Sequence, residues 1–257
     1  MSFKDAFKYA ENIFHNHTTD TSSASKIPMK AKIGSLLKIQ QTPFIRAQAG
    51  GSIVSGPNEL TEDLVKAIGR VKLGHTGDLY RFFVATQEHN SCDKFIQLFQ
   101  NEQSSLVEAM YFTTLTRITP NEEEQAIFTG RDGRGLGDIE YKLFREQLTE
   151  FGISEDLIKN AVDANGEIVF SREGTSTDNF IAPTEAKETR IEDAAGMNGL
   201  SQDLFFTSYS RTTSFGKEVL LIETHIIASE DGDASKRSIY VDFYIGIPLE
   251  FERITLQ

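Results

Sequence analysis

Glu218-Val219-Leu220-Leu221-Ile222-Glu223-Thr224-His225-Ile226-Ile227-Ala228 is the stretch on which the fold turns. In an extended chain alternate side chains share a face. Leu220, Ile222, Thr224 and Ile226 therefore line one side, and Val219, Leu221, Glu223, His225 and Ile227 the other. Both faces are largely apolar, which predicts a central strand covered on both sides.

Residues 203–213, 238–247 and 250–256 have the same strand character and, with this stretch, read as an antiparallel meander. Upstream, short apolar runs broken by turn residues mark strands near 31–39, 43–48, 67–73, 79–86, 94–100 and 107–118. Ile68 to Leu73 alternates apolar with polar, Gly74-His75-Thr76-Gly77-Asp78 supplies a turn, and Leu79 to Val84 returns, which is a hairpin pattern. The middle is more helical. Pro120 followed by Glu122, Glu123 and Glu124 opens a helix to about Thr129, Asp138 can cap a second through about Phe151, and Ser154 a third ending near Gly166. Glu167 to Phe170 resumes the sheet, and 171–202 reads as loop-rich.

Phe3, Phe7, Ala10, Ile13 and Phe14 recur at three- and four-residue spacing, so residues 3–14 read as an amphipathic helix, and the small polar residues from His15 to Ser25 read as a flexible linker. The expected organisation is residues 1–25 as helix and linker, then 26–257 as a globular region, either one domain or two sheet modules at about 26–170 and 171–257. The expected class is α+β: predominantly antiparallel sheet, a few short helices in the middle and one N-terminal helix.

Composition narrows the function classes. The 257 residues are 39% hydrophobic and 25% charged, an ordinary globular balance. Nineteen Phe and seven Tyr, with no Trp, favour sheet. A net charge of −12 repels a phosphate backbone, and the basic group Lys26, Lys30, Lys32 and Lys38 lacks stacking aromatics, so nucleic-acid binding is not expected. The single cysteine, Cys92, excludes an intramolecular disulfide and a thiolate zinc cage, so no metal is expected. No run reaches the ~18 apolar residues of a membrane-spanning helix and the amino terminus lacks an apolar leader core, so a cytoplasmic location and no transmembrane segment are expected.

Two groups of residues could carry chemistry. Gly130-Arg131-Asp132-Gly133-Arg134-Gly135-Leu136-Gly137-Asp138 precedes an expected helix, so Arg131, Gly133, Arg134 and Gly135 could cradle an anion. The spacing fits neither the phosphate loop nor the dinucleotide fingerprint, and a flexible connection is the plainer reading. Glu223 and His225 share a strand face, and Tyr240, Asp242 and Tyr244 share a face of the next strand. Glu223, His225 and Asp242 would meet across a hairpin in one register and separate in the other. A carboxylate beside a histidine is the raw material of acid–base chemistry, although a hydrogen-bonded structural network is commoner.

The segments Leu204 to Arg211, Glu218 to Ile222 and Ser238 to Ile247 resemble the closing meander of the YjfK-like proteins, a bacterial family of unknown function. Ile33-Gly34 and Leu79-Tyr80-Arg81-Phe82 extend the resemblance to about residue 30. It implies a fold neighbourhood, no catalytic residue, and by association an accessory role in envelope stress. The resulting expectation is a non-enzymatic accessory or protein-interaction protein without cofactor, docking a partner through Phe3, Phe7, Ile13 and Phe14. The alternative is an anionic-ligand-binding protein or enzyme using the loop from Gly130 to Asp138.

Overall fold

The structure is a computed structural model and describes residues 27–57, 63–84, 94–193, 199–228 and 237–257. The helix expected over 3–14, the linker after it and the docking residues Phe3, Phe7, Ile13 and Phe14 lie outside the described residues.

In chain order the strands are β1 (Leu36–Ile39), β2 (Asp63–Lys72), β3 (Gly77–Val84), β4 (Lys94–Asn101), β5 (Leu106–Ile118), β6 (Glu140–Phe144), β7 (Glu167–Arg172), β8 (Thr184–Ile191), β9 (Gly199–Thr213), β10 (Gly216–Ile227), β11 (Ser238–Leu249) and β12 (Ile254–Leu256). Among the described residues four short α-helices interrupt them: α1 (Thr42–Ala49), α2 (Glu122–Thr129), α3 (Arg145–Glu150) and α4 (Glu155–Ala161).

Strands β2, β3, β4, β5, β11, β10 and β9 pair antiparallel in that order, and β8 joins β9 back to β2. The ring is a closed eight-stranded antiparallel barrel, which overturns the α+β expectation: the architecture is a β-barrel with extra strands and few helices. Residues 26–170 and 171–257 contribute four strands each to this one barrel. β1 and β12 extend the sheet beyond one end of β2, and β6 and β7 extend it from β9.

Three segments depart from the expected elements, each for a local reason. Residues 43–48 carry Phe44 and Ile45 and look like a strand, yet Pro43 sits in the first turn of a helix, where its missing N–H costs nothing. Residues 140–144 alternate and pair with β7 as a strand, so the helix expected from Asp138 starts only at Arg145. The loop-rich 171–202 contains β8, whose polar sequence hides its role as the closing strand.

The double coverage expected of residues 218–228 has its cause in this architecture. Inward side chains of the barrel form one apolar cluster that includes Val219, Leu221, Phe83, Phe95 and Phe112. Outward ones, among them Leu220, Ile222, Phe243 and Ile245, pack in a second cluster beneath the added strands and helices, with Phe44, Leu148, Ile158 and Phe170. Burying both faces of β10 removes roughly 1.5–3 kcal/mol worth of exposure for each large aliphatic side chain.

One buried carboxylate ties the helix layer to the barrel. Glu218 on β10 is fully buried and accepts hydrogen bonds from Ser52 Oγ at 2.5 Å, the Ile53 backbone N–H at 2.8 Å and Arg211 Nε at 2.6 Å. Arg211 also donates to the carbonyls of Gly51 and Ala161, which anchors both the chain after α1 and the end of α4.

Candidate functional site

Arg81 stands in β3 among Leu79, Tyr80, Phe82, Phe83 and Val84, and period two aims it with Leu79 and Phe83 into the barrel. It is one of the largest fully buried side chains. Its Nε donates to Gln97 Oε1 at 3.0 Å, and its two terminal nitrogens grip Glu223, with Nη1 to Oε2 at 2.8 Å. This two-pronged contact is the geometry for which a guanidinium is best suited. Glu188 Oε1 lies 3.8 Å from Arg81 Nη1.

Strand pairing assembles the remainder. Glu223 stands directly opposite Asp242, and His225 opposite Tyr240. Asp242 accepts from Arg117 Nε at 2.7 Å, Arg117 Nη2 at 2.8 Å and the Tyr244 hydroxyl at 2.7 Å. Arg190 Nη2 lies 3.3 Å from Glu188 Oε2, which also accepts from Gln202 Nε2 at 2.6 Å. The Tyr240 hydroxyl donates to Gln202 Oε1 at 3.0 Å. Gly69 makes this packing fit, because a Cβ there would collide with Glu188 Oε1 and crowd the Phe83 ring.

Three guanidiniums, Arg81, Arg117 and Arg190, thus face three carboxylates, Glu188, Glu223 and Asp242, in one end of the barrel. The carboxylates are fully buried, whereas the side chain of Arg117 is 60% exposed and that of Arg190 15%. The mouth is therefore cationic and the depth anionic. A column of flat groups leads inward: Arg117 lies 4.2 Å from the centre of the Tyr240 ring, and His225 stacks on that ring at 4.4 Å with an 11° tilt. Arg190 lies over Phe83 at 4.0 Å.

His225 is buried without a hydrogen bond on either ring nitrogen. Nε2 sits 3.2 Å from Asp242 Oδ2 and 3.7 Å from Glu223 Oε2, but the ring is not angled to donate to either. Gln97 Nε2, Glu188 Oε1 and Arg190 Nε also lack hydrogen-bond partners. Buried polar atoms are rarely left so, and a cluster of them marks a place where water or a ligand completes the network.

The charges hold one another ionised. Burial pushes the Asp242 carboxyl up, but the two hydrogen bonds and the positive charge of Arg117 outweigh it and hold Asp242 well below the usual carboxylate range. Burial likewise opposes ionisation of Glu188, and the charges of Arg81 and Arg190, with the hydrogen bond from Gln202, overcome it. Burial and the carboxylates Asp242 and Glu223 drive the Tyr244 phenol well above its ordinary range.

The pH dependence of stability follows. The unfolded chain takes up protons on Asp242 and Glu188 before the folded one does, so their contribution is complete above about pH 5 and is lost as pH falls further. Tyr244 stays protonated when the unfolded chain has begun to ionise, so its contribution is complete below about pH 10 and lost above. Urea midpoints followed by far-ultraviolet circular dichroism should form a plateau with both flanks falling, and Asp242→Asn should flatten the acid flank. An acid flank of unchanged slope in that variant would contradict the assignment.

Of the residues singled out in the sequence, Glu223, His225 and Asp242 come together here. Arg131, Gly133, Arg134 and Gly135 belong instead to the turn after α2, where Arg131, Gly133 and Arg134 are exposed. Local geometry accounts for the glycines: Gly133 and Gly135 have φ of 68° and 87°, and at φ 113° Gly137 leaves no room for a Cβ against the Ile181 carbonyl. Sequence reading passed over Arg81, Gln97, Arg117, Glu188, Arg190 and Gln202. The available signal was an arginine inside an otherwise apolar strand at 79–84.

Away from the ionic cluster, a concavity of about 160 Å³ lies between α1 and the turn joining β9 to β10, lined among others by Pro43, Arg46, Phe215, Pro248 and Arg253. Phe215 is 61% exposed and Ile45 on α1 59%. Among the described residues no helix is long and apolar enough to cross a membrane. Compared with protein families, curated proteins and solved structures, the chain shows no match.

Proposed function

We propose that this is a non-enzymatic accessory protein whose barrel binds a small polar molecule at the end marked by Arg117, Tyr240 and Arg190. The observation that carries the reading is the set of unpartnered buried atoms on Gln97, Glu188, Arg190 and His225, gathered in one ionic cluster. A closed barrel of eight strands has an interior of the size that packs with side chains or holds one small ligand. Replacing a buried ionic network by apolar residues is often neutral or stabilising, so stability alone does not account for this one.

Binding is favoured over catalysis because a general acid or base works best with a pKa near the operating pH. Asp242 and Glu188 are instead held ionised by their arginine partners. A carrier or sensor of this kind agrees with the accessory role that the YjfK-like resemblance implies. Docking to a protein partner is a second reading, favoured by the exposed Phe215 and Ile45 beside the concavity at α1.

The test is a thermal-shift screen of carboxylated, phosphorylated, neutral and cationic metabolites on the full chain. A ligand at a hundred times its Kd adds about 2.7 kcal/mol to the native state, which for a chain of this size raises Tm by roughly 5–10 °C. A screen with no shift, together with ordered water on all the unpartnered atoms in a high-resolution crystal structure, would sink the reading.

A further inference from the structure

The structure assigns the ligand a class: resting on the binding reading above, we infer that it carries a carboxylate or phosphate group, held at the barrel mouth between Arg117 and Arg190. The argument is one of depth and spare donors. Every carboxylate of the cluster lies at full burial and faces an arginine, so the interior's negative charge is already met. The groups that reach towards solvent are cations.

Arg117 spends Nε and Nη2 on Asp242, which among the described residues leaves Nη1 free, and more than half its side chain is exposed. Arg190 reaches Glu188 through Nη2, and its Nε has no hydrogen-bond partner among the described residues although it is buried. Both positive charges also act on the Tyr240 phenol, and Arg117 lies over its ring. Burial drives that group upward, and Arg117 and Arg190 each pull against the rise. The Tyr240 hydroxyl spends its one proton on Gln202, so the donors left for a ligand are those of the arginines.

Spare guanidinium N–H groups from two planar forks, one over the Tyr240 ring and the other joined to Tyr240 through Glu188 and Gln202, suit an acceptor-rich anion. A neutral ligand would leave those donors unmet, and a cation would face two like charges at the entrance. The net charge of −12 does not cancel this local field, because exposed charges more than about 8 Å away are largely screened at physiological ionic strength.

The experiment is isothermal titration calorimetry of the full chain, at matched ionic strength, with inorganic phosphate, pyrophosphate, citrate, glucose and spermidine. The expected result is binding of at least one of the three anions, weakened about tenfold or more by Arg190→Gln and by Arg117→Gln. Phosphate or pyrophosphate binding without citrate names a phosphorylated ligand, and the converse a polycarboxylate. Circular dichroism checks that each variant is folded; should Arg117→Gln fail to fold because Asp242 loses its partner, Arg117→Lys keeps the charge, removes the fork, and is expected to weaken the anion while leaving the fold.

Binding of glucose or spermidine that neither arginine variant alters would overturn the anionic assignment while the barrel stays a binding site. Anion binding abolished by Arg131→Ala with Arg134→Ala, but untouched by Arg190→Gln, would move the site to the turn after α2 and overturn both readings. Absence of binding by all five compounds overturns the assignment too.

Discussion

Arg81→Met is expected to destabilise the protein by about 3–5 kcal/mol, the loss typical of a buried ion pair deprived of one partner. Its side chain is almost wholly buried and donates to Gln97 Oε1 and both oxygens of Glu223, so methionine would leave Glu223 charged, dry and unmatched. Glu188 would lose the nearest part of the same field. Methionine nearly fills the space, so the expected loss is electrostatic rather than a cavity effect. The double variant Arg81→Met with Glu223→Leu should recover part of the stability, because it removes the stranded charge along with its partner. Urea midpoints by circular dichroism measure both. A single variant within about 1 kcal/mol of the parent would show that water reaches Glu223, and the enclosed cluster described above would be wrong.

The second large effect belongs to Glu218, expected to cost about 3–4 kcal/mol on replacement by alanine, since it strands several buried donors together. Ser52 Oγ, the Ile53 N–H and Arg211 Nε all point at this one carboxylate. Ser52→Ala, which removes one hydroxyl and leaves the acceptor in place, should cost only about 1 kcal/mol. Because Arg211 also holds the carbonyls of Gly51 and Ala161, Glu218→Ala should loosen the chain after α1 before the barrel yields. Native-state hydrogen exchange read at residues 50–54 would show this as a selective loss of protection. Equal loss throughout β10 and β11 would mean instead that the carboxylate props up the barrel as a whole.

Both effects bear on what could be read in advance. The strands β3, β4, β5, β9, β10 and β11 were legible because their inward and outward faces are both apolar enough to give short, dense runs between turns. β8 was not, although the barrel cannot close without it. Its sequence Thr184-Glu185-Ala186-Lys187-Glu188-Thr189-Arg190-Ile191 points Glu188 and Arg190 inward, so the alternation is present but lacks the hydrophobic signal that makes alternation visible. The property that conceals the strand is the property that makes the site.

The site itself was half legible for a related reason. Glu223, His225 and Asp242 could be placed together once β10 and β11 were seen as neighbours, and their register, Glu223 opposite Asp242, decides that they meet. Arg81, Glu188 and Arg190 come from β3 and β8, which reach the cluster only around the circumference of the closed ring. Local pattern holds no trace of that path. The glycine-rich turn at 130–137 was conspicuous for the opposite reason: its composition serves a tight backbone course under Tyr209 and Ile181, which is a local matter.

The order of β8 in the chain sets a schedule for synthesis. β2 to β5 emerge from the ribosome as a meander with one edge of β2 open, and the strand that will cover that edge is more than a hundred residues away. Such distant pairing is slow, and an uncovered edge invites pairing with other chains in the meantime. A nascent chain halted before residue 184 should therefore aggregate or recruit chaperones, whereas one extended past residue 249 should not.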